Sequence, residues 1–186
     1  MEDTPRGKVL SAAAHLFRRQ GFERTTVRDI AAAVGILSGS LFHHFSSKEE
    51  ILKAVMIDVI RFNTERMRKA VEDAPDARAK LRALIECELQ SILGDTREAM
   101  GVLVYCWEGL SAASQKDVLA LRAVYEQLWL DVLAQARAEG LIDVEPFVLR
   151  RLLTGAISWS NTWFDPKGSL SLQQLVDIVL GMAVRN

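Results

Sequence analysis

Apolar residues recur at intervals of three and four along nearly the whole chain, and most of these runs open on a capping residue and close on glycine or proline. That pattern admits helices and little else. No strand-like alternation survives beside it and no internal repeat is present, so the expected fold class is all-α. Thr4-Pro5 opens a first helix with Val9, Leu10, Ala13, Leu16 and Phe17 on one face, and Gly21 closes it. Thr26 with Asp29 caps a second, short helix carrying Val27, Ile30, Ala31 and Val34, closed by Gly35. A third is expected from about Ser38 to Phe45, with Leu37, Leu41 and Phe45 inward by their spacing of four. Ser47 to Glu50 reads as a capping box for a long fourth helix that turns Ile51, Leu52, Val55, Met56, Val59, Ile60 and Met67 inward and breaks near Pro75.

Five more helices are expected. The fifth runs from about Asp76 to Leu93, and a less regular sixth from Arg97 to about Gly109. Ser111 to Gln115 reads as a bend before a seventh from Lys116 to Glu139. Asp143 is expected to cap an eighth with Pro146 in its first turn, carrying Phe147, Leu152, Ile157, Trp159 and Trp163. After the turn at Asp165-Pro166-Lys167-Gly168, Ser171 with Gln174 caps a ninth that ends near Met182. This gives a three-helix head over residues 1–47 and a larger six-helix body over residues 48–186.

Composition narrows the function classes. No run of eighteen apolar residues is present, so no membrane span is expected. The segment Met1-Glu2-Asp3-Thr4-Pro5-Arg6 lacks the apolar core of a secretory leader, which makes the cytoplasm the expected location. Charge is nearly balanced, with a slight basic excess through Lys53. Cys87 and Cys106 stand far apart in apolar helical settings and read as buried free thiols, so neither a metal site nor a disulfide is expected. His43 and His44 are adjacent and point about 100° apart on a helix, which prevents joint chelation. Phosphate-cradling loops, catalytic triads and paired carboxylates are all missing from the pattern. No enzyme activity and no cofactor are expected.

The segment Thr25 to Lys48 carries the functional signal. Two short helices joined at Gly35 pack with the first helix into a trihelical unit, which leaves one side of the third helix outward. Ser38, Gly39, Phe42 and His43 fall on that side, and such a helix fits the major groove of duplex DNA. Ser38 and His43 can donate to base edges or phosphates, Gly39 lets the backbone lie close, and Phe42 can pack on a sugar or a thymine methyl. Thr26, at a helix start, and Lys48 are candidate phosphate contacts. Arg28 and Ser40 complete the candidate DNA-binding set.

Thr25 to Leu52 resembles the N-terminal signature of the TetR family of bacterial repressors. The agreement lies at Thr26, Ile30-Ala31, Gly35, Gly39, Ser40-Leu41, His44-Phe45, Lys48-Glu49 and Leu52. Phe42 stands where the family usually has Tyr, Val34 where it has Ala and Ile36 where it has Val. Leu37 replaces a capping Ser, a role that Ser38 is positioned to take over. The resemblance implies a homodimer formed through the last two helices, double-stranded operator DNA as partner, and a small-molecule pocket among the central helices. It also implies that an effector moves the fourth helix and changes the separation of the two heads.

With that architecture, Leu152, Trp159, Trp163, Leu175 and Val179 are candidate dimer-interface residues. Tyr105, Trp107 and Glu108 on the irregular sixth helix, with Tyr125 and Trp129 on the seventh, are candidate pocket residues for a small, mainly apolar effector. Core packing is the competing role for each tryptophan, and a solvated helix face for Glu86, Glu88 and Glu108. Arg150, like the other body arginines, belongs to no evident cluster. Three functional readings stand at this stage: a ligand-responsive repressor, an activator or constitutive DNA-binding regulator without a ligand, and a helical enzyme or binding module that uses the head for localisation.

Overall fold

The computed structural model describes residues 4–185; Met1 to Asp3 and Asn186, the outermost residues of the two expected segments, lie outside the described residues. Thr4 Oγ1 accepts a hydrogen bond from the Gly7 N–H and Pro5 fixes the first turn, which starts α1 (Pro5–Gln20). Thr26 and Asp29 form a reciprocal capping box at the head of α2 (Val27–Ala33). Gly35, at φ 72°, lets its own N–H reach Ala32 O and the Ile36 N–H reach Ala31 O, the paired bonds of a Schellman turn. There follow α3 (Ser38–Phe42), α4 (Lys48–Glu72), α5 (Ala77–Leu93), α6 (Arg97–Tyr105), α7 (Ala112–Ala138), α8 (Pro146–Trp159) and α9 (Leu172–Ala183). The fold is all-α, with 3-10 turns at Trp107–Gly109 and Ser160–Thr162.

Several local expectations need correction. The third helix spans Ser38–Phe42, shorter than expected, and Leu37 is its N-cap with no side-chain capping bond, so Ser38 does not cap it. Leu37 is 80% exposed, not inward. Its φ and ψ of −73° and 141° are extended, so its side chain does not follow the helical wheel that sends Leu41 inward. At the start of α4, Ser47 Oγ accepts from the Glu50 N–H, but Glu50 reaches back to the Ser46 N–H and hydroxyl and not to Ser47. The small residues after Ser111 begin α7, where a bend was expected. Glu145, not Asp143, caps α8 by accepting from the Val148 N–H, while Asp143 pairs with Arg185 at 2.9 Å.

The chain packs into two compact units, residues 1–62 with 96–122, and residues 63–95 with 123–186. The packing boundary therefore does not fall at residue 47. In the first unit Leu10, Phe17, Ile30, Leu41, Leu52 and Met56 are fully buried. Here α6 packs on α1, with His15 Nδ1 2.8 Å from Glu98 and the Arg18 guanidinium 4.2 Å over the Tyr105 ring. Glu49 accepts from the Ser111 N–H and the Ser114 hydroxyl, and Lys53 pairs with Asp117 at 2.6 Å. In the second unit Met67, Leu81, Leu84, Trp129, Leu133 and Ile157 fill the core. Helix α4 serves both: Ile51 to Ile60 enter the first core and Met67 the second.

Candidate DNA-binding and effector sites

The outward side of the head is built from its inward side. Leu41 and Phe45 are buried, and this fixes the rotation of α3 about its axis. Gly39, Ser40, Phe42 and His43 are then exposed, with Phe42 at 55%, and Ser38 is half-buried. Nothing lies within 4 Å of where a Cβ on Gly39 would sit, so the backbone there is open to close approach. His44 is exposed as well, and does not pack beneath the turn.

Thr26 and Arg28 are exposed at the start of α2. The Thr26 N–H and hydroxyl both donate to Asp29 Oδ2 at 2.8 Å, and these bonds, the N–H first, hold the Asp29 carboxyl below its usual range. Lys48 is half-buried: its ammonium donates to Phe22 O at 2.7 Å and Glu23 O at 3.2 Å and lies 4.2 Å over the Phe22 ring. That leaves one of its three donors for any other partner.

The five expected pocket residues are divided between the two units. Tyr105, Trp107 and Glu108 belong to the first unit; Tyr105 is exposed beneath Arg18, Glu108 is exposed, and Trp107 is half-buried in its 3-10 turn. Tyr125 and Trp129 belong to the second unit, where the structure brings them together with Glu88 and Arg150. Arg150 donates to both Glu88 oxygens, at 3.0 and 3.3 Å, and through Nε to Glu126 at 3.1 Å. Its guanidinium lies 4.3 Å over the fully buried Trp129 ring. Burial pushes the Glu88 carboxyl up against the opposing pull of Arg150. Burial, and then the neighbouring Glu88, raise the Tyr125 hydroxyl well above its usual value. Trp129 Nε1 is buried, and the Tyr125 hydroxyl is its polar neighbour.

Sequence reasoning missed this polar interior. Glu88 read as one of several helix-face acids and Arg150 as an isolated cation. Only a pairing across 62 positions makes them a site.

Leu152 and Trp159 (68%) are exposed on α8, and Trp163 (51%) is exposed too but lies past the 3-10 turn that follows α8, not on the eighth helix where it was expected. Leu175 and Val179 were expected beside them but pack into the core of their own unit, at 4% and 5% exposure. Ile178 and Met182 hold the exposed side of α9 instead. Among the described residues no group of three His, Cys, Asp or Glu side chains is placed to hold a metal ion, and no helix is long and apolar enough to cross a membrane.

Two family models match the chain. Residues 9–55 match the tetR family of bacterial regulatory proteins, and residues 74–186 match the tetracyclin repressor-like C-terminal domain. The transcriptional repressor KstR2 of Mycolicibacterium smegmatis is 34% identical over 96% of this chain and 93% of its own length. AibR, solved in complex with isovaleryl coenzyme A and operator DNA, has a TM-score of 0.84 and 26% identity over 96% of this chain and 97% of its own. A solved structure described as the superantigen pfit has a TM-score of 0.90 and 55% identity over 99% of this chain and 91% of that one. The head, the helical body and these matches agree: the chain belongs to the TetR family and is a DNA-binding transcriptional regulator.

Proposed function

We propose that this regulator is a cytoplasmic homodimeric repressor without enzymatic activity, released from its operator by a small, mainly apolar effector. Residues 1–47 contact DNA, and residues 48–186 bind the effector and dimerise. The carrying observation is the outward set Gly39, Ser40, Phe42 and His43, with Ser38 beside it, on a helix locked from beneath by Leu41 and Phe45. Arg28 supplies charge to the phosphates, and Thr26 at the start of α2 supplies its hydroxyl. Lys48 positions the head through Phe22 and Glu23 while adding one remaining donor. A dimer through the outer sides of α8 and α9 and the turn after α8 covers Leu152, Trp159, Trp163, Ile178 and Met182.

The buried aromatic and charged group of Tyr125, Trp129, Glu88 and Arg150 supports an effector site in the second unit. AibR, bound to isovaleryl coenzyme A, supports an effector with a short branched acyl group. The superantigen name belongs to the neighbouring structure; on this chain the exposed helix-turn-helix surface supports the regulator reading.

Duplexes enriched from a random library by the full-length protein test the proposal. Binding to an enriched duplex should be saturable, fall steeply with salt and exceed binding to random duplex. His43→Ala should weaken it roughly tenfold with far-UV helicity and dimerisation unchanged. Affinity equal to that for random duplex at every salt concentration rejects the operator, and a panel of acyl thioesters that never weakens binding rejects that effector class.

A further inference from the structure

The recognition helix begins on a residue whose carbonyl accepts from the Ser40 N–H but whose side chain makes no capping bond. Leu37 occupies its N-cap without a side-chain hydrogen bond, so the capping contribution of a serine or threonine is forgone. Its isobutyl group is 80% exposed, so it gains nothing from burial either. Among the described residues through Phe62, the exposed large apolar side chains are Ile36, Leu37, Phe42 and Phe62. Three of these four stand on the turn and the recognition helix, next to Ser38, Gly39 and His43. The apolar side chains that the head leaves in water are therefore concentrated on the surface assigned to DNA.

The major groove offers one apolar base feature, the C5-methyl group of thymine. We propose that Leu37 is a specificity-determining residue, whose isobutyl group packs on the C5-methyl of one thymine in each operator half-site. This rests on the reading that α3 enters the major groove. The discrimination is by apolar burial, and it selects thymine against cytosine, which carries no methyl at C5. Phe42, a turn further along α3, meets a different position of the site. Gly39, whose missing side chain leaves open space, allows the helix to come close enough for a short aliphatic group to reach the base edge.

The test uses the full-length protein and a duplex enriched from a random library. Each thymine is replaced in turn by deoxyuridine, which removes the methyl and keeps the base pairing. Affinities are measured by fluorescence anisotropy at one fixed salt concentration. Wild type should lose about fourfold at one symmetry-related thymine per half-site, the value of one buried methyl. Leu37→Ala should bind the thymine and uracil duplexes equally, with helicity unchanged because the side chain touches no core. Phe42→Ala should keep the discrimination at that position. Wild-type tolerance of uracil at every position overturns the proposal, as does Leu37→Ala retaining the fourfold difference. A library from which wild type enriches nothing removes the operator reading and this one together, whereas an enriched duplex indifferent to uracil removes this one alone.

Discussion

The Thr26 hydroxyl accepts the Asp29 N–H, and the Asp29 carboxylate accepts from the Thr26 N–H and hydroxyl, so the turn leading into α2 closes on itself. Its strength depends on the carboxylate being ionised. Because the Asp29 pKa is lowered in the folded state, the stabilisation is fully present above the unfolded value and is lost as pH falls through the folded one. Glu50, lowered by the Ser46 hydroxyl and N–H, and Glu49, lowered by the Ser111 hydroxyl and then its N–H, share that direction. Acidification below about pH 4 should therefore loosen the first unit. Amide exchange in residues 26–34 followed against pH checks this, and Asp29→Asn should flatten the acid dependence at α2. Caps of this kind were legible from sequence where residue type and spacing decide them, as at Thr4, Thr26 and Ser171. Two competing acids near one helix start are not decided that way. Asp143 and Glu145 flank the start of α8, and the position of Pro146 gives the cap to Glu145.

At the scale of elements, apolar periodicity indicates which side of α4 is buried but not what a helix buries in company with its polar residues. Glu88 on α5 and Arg150 on α8 each have a sequence neighbour of the same charge, Glu86 and Arg151, and neither local pattern distinguishes them. In the structure they form a buried pair at 3.0 Å, joined by Glu126. Breaking such a pair from one side leaves a buried charge without a partner, which costs about 3–5 kcal/mol. Arg150→Met should lower the unfolding free energy by that amount, and Arg150→Met with Glu88→Leu should recover most of it. Chemical denaturation of both variants followed by far-UV circular dichroism provides the comparison. If the single and double variants melt alike, the pair contributes no such coupling.

For the whole molecule, the head was more legible than the interface. A recognition helix has one wet side and one dry side, so residue type and spacing separate Leu41 from His43. Helix α9 has a polar side of Gln173, Gln174 and Asp177 and a wide apolar remainder, and sequence alone does not say which part of that remainder meets the protomer's own core. Leu175 and Val179 line that core, while Ile178 and Met182 face out. The two groups should respond differently. Trp163→Ala should weaken dimerisation, read by sedimentation, and leave the monomer's stability nearly unchanged. Leu175→Ala should lower stability by about 2–5 kcal/mol through the cavity it creates.

The course of α4 also limits how this regulator can be recombined with others. The proposed DNA contacts extend no further than Lys48, yet Ile51, Leu52, Val55 and Met56 on α4, with Ala99 and Val102 on α6, complete the core beneath them. A fragment cut at residue 47 would expose Leu10, Phe17 and Ile30 and remain an unfolded peptide. Chimeric repressors that exchange operator preference should therefore transplant α4 and the 96–122 segment along with the three-helix head, or else graft only the outward side chains of α3 onto a recipient that keeps its own scaffold.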